Sequence, residues 1–139
     1  MSWFYKGKKV ESIEDMPKGV FGFIYVVTHV ISGKKYIGKK QLMTTRTLPP
    51  LKGERKKRKV IKEGSWKTYY GSQKEIKELV ASSTPEDFHR EVLRYCFTKK
   101  ELTYRELEEQ VLHRVLEDDD FLNSNILGKF FGKDLISKE

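Results

Sequence analysis

Cysteine is nearly missing from this chain. Cys96 is the one cysteine among 139 residues, so an internal disulfide and an all-cysteine zinc site are both excluded. The histidines His29, His89 and His113 are scattered, and they form no Cys/His cluster with metal-ligand spacing. This usage predicts a reduced, intracellular setting. No apolar run approaches the length of a membrane span, and the opening MSWFYKGKK lacks the apolar centre of a secretory leader. A soluble cytoplasmic protein with no membrane partner is the expectation. No P-loop, G-x-G-x-x-G or Ser/His/Asp signature is present either.

What the chain has instead is positive charge. Its 28 Lys/Arg face 20 Asp/Glu, giving a net charge of +8 and a pI near 9.5. That balance favours a polyanionic partner, nucleic acid above all. Residues 52–62 concentrate it, with seven basic side chains against one acid. Repulsion at this density predicts a mobile loop, or a helix ordered by a polyanion. The rival reading is a plain solvated linker.

A length of 139 residues suits one domain with one hydrophobic core. Residues 1–19 read as an irregular lead-in. Residues 20–28, VFGFIYVVT, are rich in β-branched and aromatic types, as in a buried strand. Ser32-Gly33 provides turn chemistry, and 34–38 makes a second strand, so the pair reads as a β-hairpin. A basic insertion spans about 48–67, where Pro49-Pro50 breaks any helix. Ser72 and Glu75 fit a capping box for a helix ending near Ser82-Ser83. Residues 87–97 fit a helix through Phe88, Val92, Tyr95 and Cys96 and equally a strand; the strand is favoured, partly on the resemblance described below. Thr98 and Glu101 form another capping box, opening a helix over roughly 99–116 with an apolar stripe of Leu107, Val111, Leu112 and Val115. Glu117 through Asp120 lie past its end, where they do not oppose the macrodipole. The tail FLNSNILGKFFGK is apolar enough to pack on the core. The fold class is α+β: a small three-stranded, mostly antiparallel sheet flanked by helices, in one domain over 20–139.

The segment GFIYVVTHVISGKKYIG resembles the signature of the GIY-YIG nuclease family. Phe23-Ile24-Tyr25 stands for the first triplet and Tyr36-Ile37-Gly38 for the second, with the two tyrosines eleven positions apart. Phe23 occupies the place of the first glycine, and Gly22 precedes it. Arg46, eight positions after Gly38, lies in the zone of the family's arginine. Glu106 and Asn125 lie in the zones of its helical glutamate and late asparagine. Trp66 to Ser72 is similar to a block found in phage-borne members. The resemblance spans roughly residues 20–126.

The resemblance implies a metal-dependent DNA endonuclease. In that reading Tyr25 helps activate a water, beside Tyr36, and Arg46 grips phosphate oxygens with its planar fork. Glu106 holds Mg²⁺ or Mn²⁺, and Asn125 positions phosphate or backbone. An ordinary tyrosine titrates near pH 10, so a metal or a cation such as Lys39, Lys40 or Arg46 would have to favour the phenolate. Glu108 and Glu109 compete with Glu106. Glu106 lies on the polar side of the stripe and shares a face with Gln110, at i and i+4. Asn123 competes with Asn125, and either could instead close a turn. Lys39, Lys40, Arg55, Lys56, Lys57, Arg58 and Lys59 are candidate phosphate contacts, and Trp66 a base-stacking one. The DNA is expected to be double-stranded. One site cuts one strand per engagement, so a double-strand break would need a homodimer or two visits. A phage-encoded enzyme would act in the host cytoplasm. Two rivals remain: a non-cleaving nucleic-acid-binding module of the same fold, and a basic ribosome-associated protein.

Overall fold

The computed structural model describes residues 2–135; Met1 and residues 136–139, the end of the expected domain, lie outside the described residues. The expected α+β architecture holds. In chain order the strands are β1 (Trp3–Tyr5), β2 (Lys8–Val10), β3 (Gly22–His29), β4 (Lys35–Gln41), β5 (Met43–Leu48) and β6 (Arg58–Glu63). Helix α1 (Lys74–Ala81), strand β7 (Phe88–Cys96), helix α2 (Lys99–Leu112) and the short strands β8 (Asn125–Ile126) and β9 (Phe130–Phe131) follow. The main sheet has five strands in the order β2-β1-β7-β3-β4. All its pairings are antiparallel except β1 with β7. Among the described residues, no helix is long and apolar enough to cross a membrane.

Strand β3 shows why its sequence does not alternate. It lies between β7 and β4 with both faces covered, so apolar residues follow one another directly. Phe23, Tyr25 and Val27 pack on one face with Trp3, Trp66 and Ile76 of α1. Ile24 packs on the other with Ile37, Cys96, Leu102 of α2, Val115 and Ile126. Against β7 the register slips once, from Ile24 opposite Arg94 to Tyr25 opposite Val92. Leu93 is the extra residue of this bulge, which keeps Val92 and Tyr95 in the same core cluster.

Several local expectations are corrected. The three strands β7, β3 and β4 are extended by β1 and β2, drawn from the segment that reads as an irregular lead-in. These strands are too short to show a period, and their place is fixed by the pairing of Phe4 with Glu91. The N-cap of α1 is Gln73, not Ser72, and no side-chain cap bond forms there. Helix α2 does begin at Thr98, whose side chain accepts the Glu101 N–H at 3.0 Å. It ends at Leu112, and Arg114 turns left-handed at φ 51°. Its inward face is only half the expected stripe: Leu107 packs on the core and Val115, just past the helix, is buried, but Val111 is 56% and Leu112 69% exposed, while Leu102 and Gln110 are buried. The face that meets the sheet carries Leu102, Glu106 and Gln110, one turn apart, because it covers the polar backbone of an edge strand as well as the core. Phe130 and Phe131 of the tail are exposed.

The basic insertion is neither a loop nor a helix along its length. Strands β5 and β6 form a separate two-stranded antiparallel ribbon, registered from Met43 opposite Glu63 to Leu48 opposite Arg58. Trp66, just beyond it, has no exposed surface. Its indole N–H donates to Glu63 Oε1 at 2.8 Å, and its carbonyl accepts the Trp3 indole N–H at 2.8 Å. Trp66→Ala should therefore cost about 3–5 kcal/mol in denaturant unfolding, and Arg46→Ala on the exposed ribbon less than about 0.5 kcal/mol. Equal, small losses would contradict this division between core and ribbon.

Candidate active site

Strand β4 is the edge of the main sheet, and half of that edge is sealed. The Lys35 N–H donates to the Asp120 carbonyl at 2.7 Å, and the Leu122 N–H to the Lys35 carbonyl at 2.7 Å. Asn123 then binds both peptide groups of Ile37: its Oδ1 accepts the N–H at 3.1 Å, and its Nδ2 donates to the carbonyl at 2.8 Å. Gln110 Nε2 donates to the same carbonyl at 3.2 Å. Beyond this point the edge opens. The Lys39 N–H goes to the Glu106 carboxylate, while Lys39 Nζ donates to Thr103 Oγ1 at 3.2 Å.

A cleft of about 250 Å³ lies along this edge, lined by Tyr36, Gln73, Glu106, Gln110, Asn123, Ser124, Asn125, Leu127 and Gly128. Tyr25 stands behind Tyr36, ring centroids 6.3 Å apart, and is only 1% exposed. Tyr69 meets Tyr25 edge-on at 5.9 Å and is its hydrogen-bond partner. Gly38 makes this packing possible. A Cβ there would lie 2.5 Å from the Tyr25 hydroxyl and 2.9 Å from Tyr36 Cε1. The segment carrying Tyr69 is tied down by Arg90, which is sandwiched at 4.6 Å between the Trp3 and Tyr70 rings. Arg90 also donates to the Lys67 carbonyl at 2.9 Å and the Tyr69 carbonyl at 3.0 Å.

Burial dominates the electrostatics. It raises Glu106 from its ordinary value, opposed by the Lys39 ammonium and by the Lys39 N–H. Burial, then Glu106 and Tyr69, pushes Tyr36 up to about 12. Burial, then Tyr69, Tyr36 and Glu106, holds Tyr25 well above its ordinary value. Both shifts favour the protonated phenol, so a phenolate at Tyr25 would call for a cation close by.

The structure brings Tyr36, Glu106 and Asn125 to one cleft, with Tyr25 behind them. Asn125 also closes a turn, its Oδ1 accepting the Gly128 N–H at 2.9 Å. The rival carboxylates are engaged elsewhere: Glu108 pairs with Arg94 at 3.1 Å and Arg105 at 2.9 Å, and Glu109 lies 3.4 Å from His113. Lys39 borders the open edge, and Lys40 sits over the Tyr69 ring at 4.3 Å. Arg46 does not reach the cleft. No helix follows the hairpin, and Arg46 lies on β5 opposite Val60. Arg55, Lys56, Lys57, Arg58 and Lys59 are exposed at the ribbon's far end. The stacking role expected of Trp66 is overturned by its burial. Gln73 went unnoticed in the sequence. Its Nε2 donates to the Leu122 carbonyl, and its buried Oε1 has no hydrogen-bond partner among the described residues.

A family model described as "Putative endonuclease segE, GIY-YIG domain" matches residues 3–126. The chain belongs to the GIY-YIG family. No curated protein and no solved structure gives a match. The family assignment supports a nuclease, a hydrolase whose substrate is nucleic acid. The matched span begins at β1, so the N-terminal strands belong to the GIY-YIG domain. In this member Phe23, in the first triplet's glycine position, fills the core edge-on between Trp3 at 4.9 Å and Trp66 at 6.3 Å.

The raised phenols give a pH signature. A group whose folded pKa lies above its unfolded value lends stability below the unfolded pKa and loses it as pH rises through the folded one. Tyr36 and Tyr95 both move from 10.0 to about 12. Stability should therefore fall between about pH 10 and 12, and Tyr36→Phe should flatten the fall. Urea melts across that range check it; an unchanged slope in Tyr36→Phe would refute the assignment.

Proposed function

We propose that this chain is a metal-dependent DNA endonuclease that hydrolyses phosphodiester bonds in the cleft along the open edge of β4. The observation that carries this reading is the convergence of Tyr36, Glu106 and Asn125 on one cleft, within a GIY-YIG domain. Its donor set suits a hard cation. Glu106 offers a carboxylate, and the unpartnered Gln73 Oε1 offers a second oxygen. No cluster of three or more His, Cys, Asp or Glu occurs among the described residues, so waters and substrate phosphate would complete the shell. When bound there, Mg²⁺ or Mn²⁺ supplies Lewis acidity toward the phosphate oxygens and the leaving oxygen.

The chain's own residues do the rest. Lys39, whose ammonium acts on Glu106, and Lys40, over the Tyr69 ring, hold the phosphate in place of Arg46. The Tyr36 hydroxyl, protonated at neutral pH, orients the attacking water: it accepts one hydrogen bond and donates another. Tyr25 and Tyr69 fix the Tyr36 ring from behind. Asn125 orients the phosphate from the opposite wall. The neutral phenols and the distant Arg46 are also what a non-cleaving DNA-binding member would show, which makes cleavage the deciding measurement. One cleft cuts one strand per engagement, so a homodimer on duplex DNA, in a host cytoplasm if the source is a phage, is the arrangement that yields a double-strand break.

Supercoiled plasmid with Mg²⁺ should be nicked by the wild type, slowed on the order of 100-fold by Glu106→Ala and roughly 10-fold by Gln73→Ala. Intact plasmid with every divalent cation, despite salt-sensitive binding, would leave the binding-module reading instead. Protons compete with the cation for the raised Glu106 carboxylate. The Mg²⁺ needed for half-maximal nicking should therefore climb as pH falls. A requirement that stays constant with pH would remove Glu106 as the ligand.

A further inference from the structure

The ribbon of β5 and β6 has no sheet to join. It is hydrogen-bonded as its own two-stranded unit, and its strand residues are exposed except for the half-buried Leu48. A two-stranded hairpin is marginal by itself in water. This one also carries eight basic and two acidic side chains between residues 43 and 63. Self-repulsion of that kind is relieved by a polyanion.

The charge is sorted by face. Side chains alternate along each strand, so Thr44, Arg46, Arg58 and Lys62 share one face. That face has three cations and no acid, with Arg46 diagonal to both Arg58 and Lys62. The opposite face carries one cation, Lys59, and one acid, Glu63. The turn between the strands holds Lys52, Arg55, Lys56 and Lys57.

The root is firm. Only Leu42 separates β4 from β5, and it is buried. Its N–H donates to the Phe21 carbonyl at 3.0 Å, and its carbonyl accepts the Gly64 N–H at 2.7 Å. The strand that forms the cleft edge thus runs on into the ribbon. Six residues of β5 reach roughly 20 Å at ~3.3 Å each, or about six base pairs of duplex. A two-stranded ribbon fits the major groove, about 12 Å wide, and not the minor groove of about 6 Å.

We infer that the ribbon is a DNA-reading arm, lying in the major groove about six base pairs from the scissile phosphate. Arg46 and Arg58 read base edges there, and Lys56 and Lys57 grip the phosphates. The inference rests on the nuclease reading for its choice of duplex DNA and goes beyond it in assigning sequence preference to a defined element.

The test is selection of bound duplexes from a randomised library, without divalent cation so that nothing is cut. A second chain has residues 46–60 replaced by Asn-Gly, which rejoins the cross-strand partners Thr45 and Ile61. Its fold is checked by thermal melting. The wild type should enrich particular bases. Arg46→Ala/Arg58→Ala should lose roughly 10-fold or more of the preference of best over random duplex. Lys56→Ala/Lys57→Ala should weaken all duplexes alike and reduce the salt slope by about 2. No enrichment by the wild type, or enrichment that survives in the folded ribbon-less chain, overturns the inference. Plasmid nicking with Mg²⁺ is scored in parallel. Enrichment without nicking sinks the nuclease reading and leaves the arm standing; nicking without enrichment sinks the arm alone.

Discussion

Both peptide groups of Ile37 are held by side chains rather than by a neighbouring strand. Asn123 takes the N–H and the carbonyl together, and Gln110 shares the carbonyl. A buried backbone group without a partner would be costly, so these amides settle where α2 and the C-terminal segment can sit. They close the edge of β4 as far as Ile37, and the Glu106 carboxylate takes the Lys39 N–H beyond it. Glu106, one turn before Gln110, thereby stands at the cleft that Gln110 and Asn123 also line.

The same packing sets the chemistry of the cleft. Tyr25 and Tyr36 cross over Gly38 because no side chain stands in the way. Their burial and their nearness to Glu106 hold all three groups toward the protonated state. A cation at Glu106 would reverse the sign of that influence on both phenols.

Two local signals in the sequence carry through to the structure, while the Ser72–Glu75 box, equally local, does not. The β3–β4 hairpin was legible because its turn and both tyrosines lie within one short stretch. The start of α2 was legible because Thr98 carries the cap. The inward face of α2 was not, because a stripe of Leu and Val is a poor guide when the covered surface is strand backbone: Gln110 fits it and Val111 does not. The N-terminal strands depend on β7, far along the chain, and show no period. The ribbon was hidden by its charge density, which reads as disorder. Gln73 had no local mark at all, since its unpartnered oxygen arises only when α1 meets the segment at Leu122. Arg46 was placed by its distance from Gly38, a distance that presumed a helix where the chain continues as strand.

The ribbon touches the main sheet through a narrow root, where Leu42 and Gly64 exchange a hydrogen bond. No core side chain lies between them in sequence, since 43–63 are exposed but for half-buried Leu48 and Pro50. Apart from its ends, where the Met43 carbonyl accepts from Gln41 and Glu63 from the Trp66 indole, that stretch carries little folding constraint. One ribbon can be exchanged for another while the fold around the cleft is kept. Target choice and cutting would then drift separately through descent, joined at a single peptide-to-peptide contact.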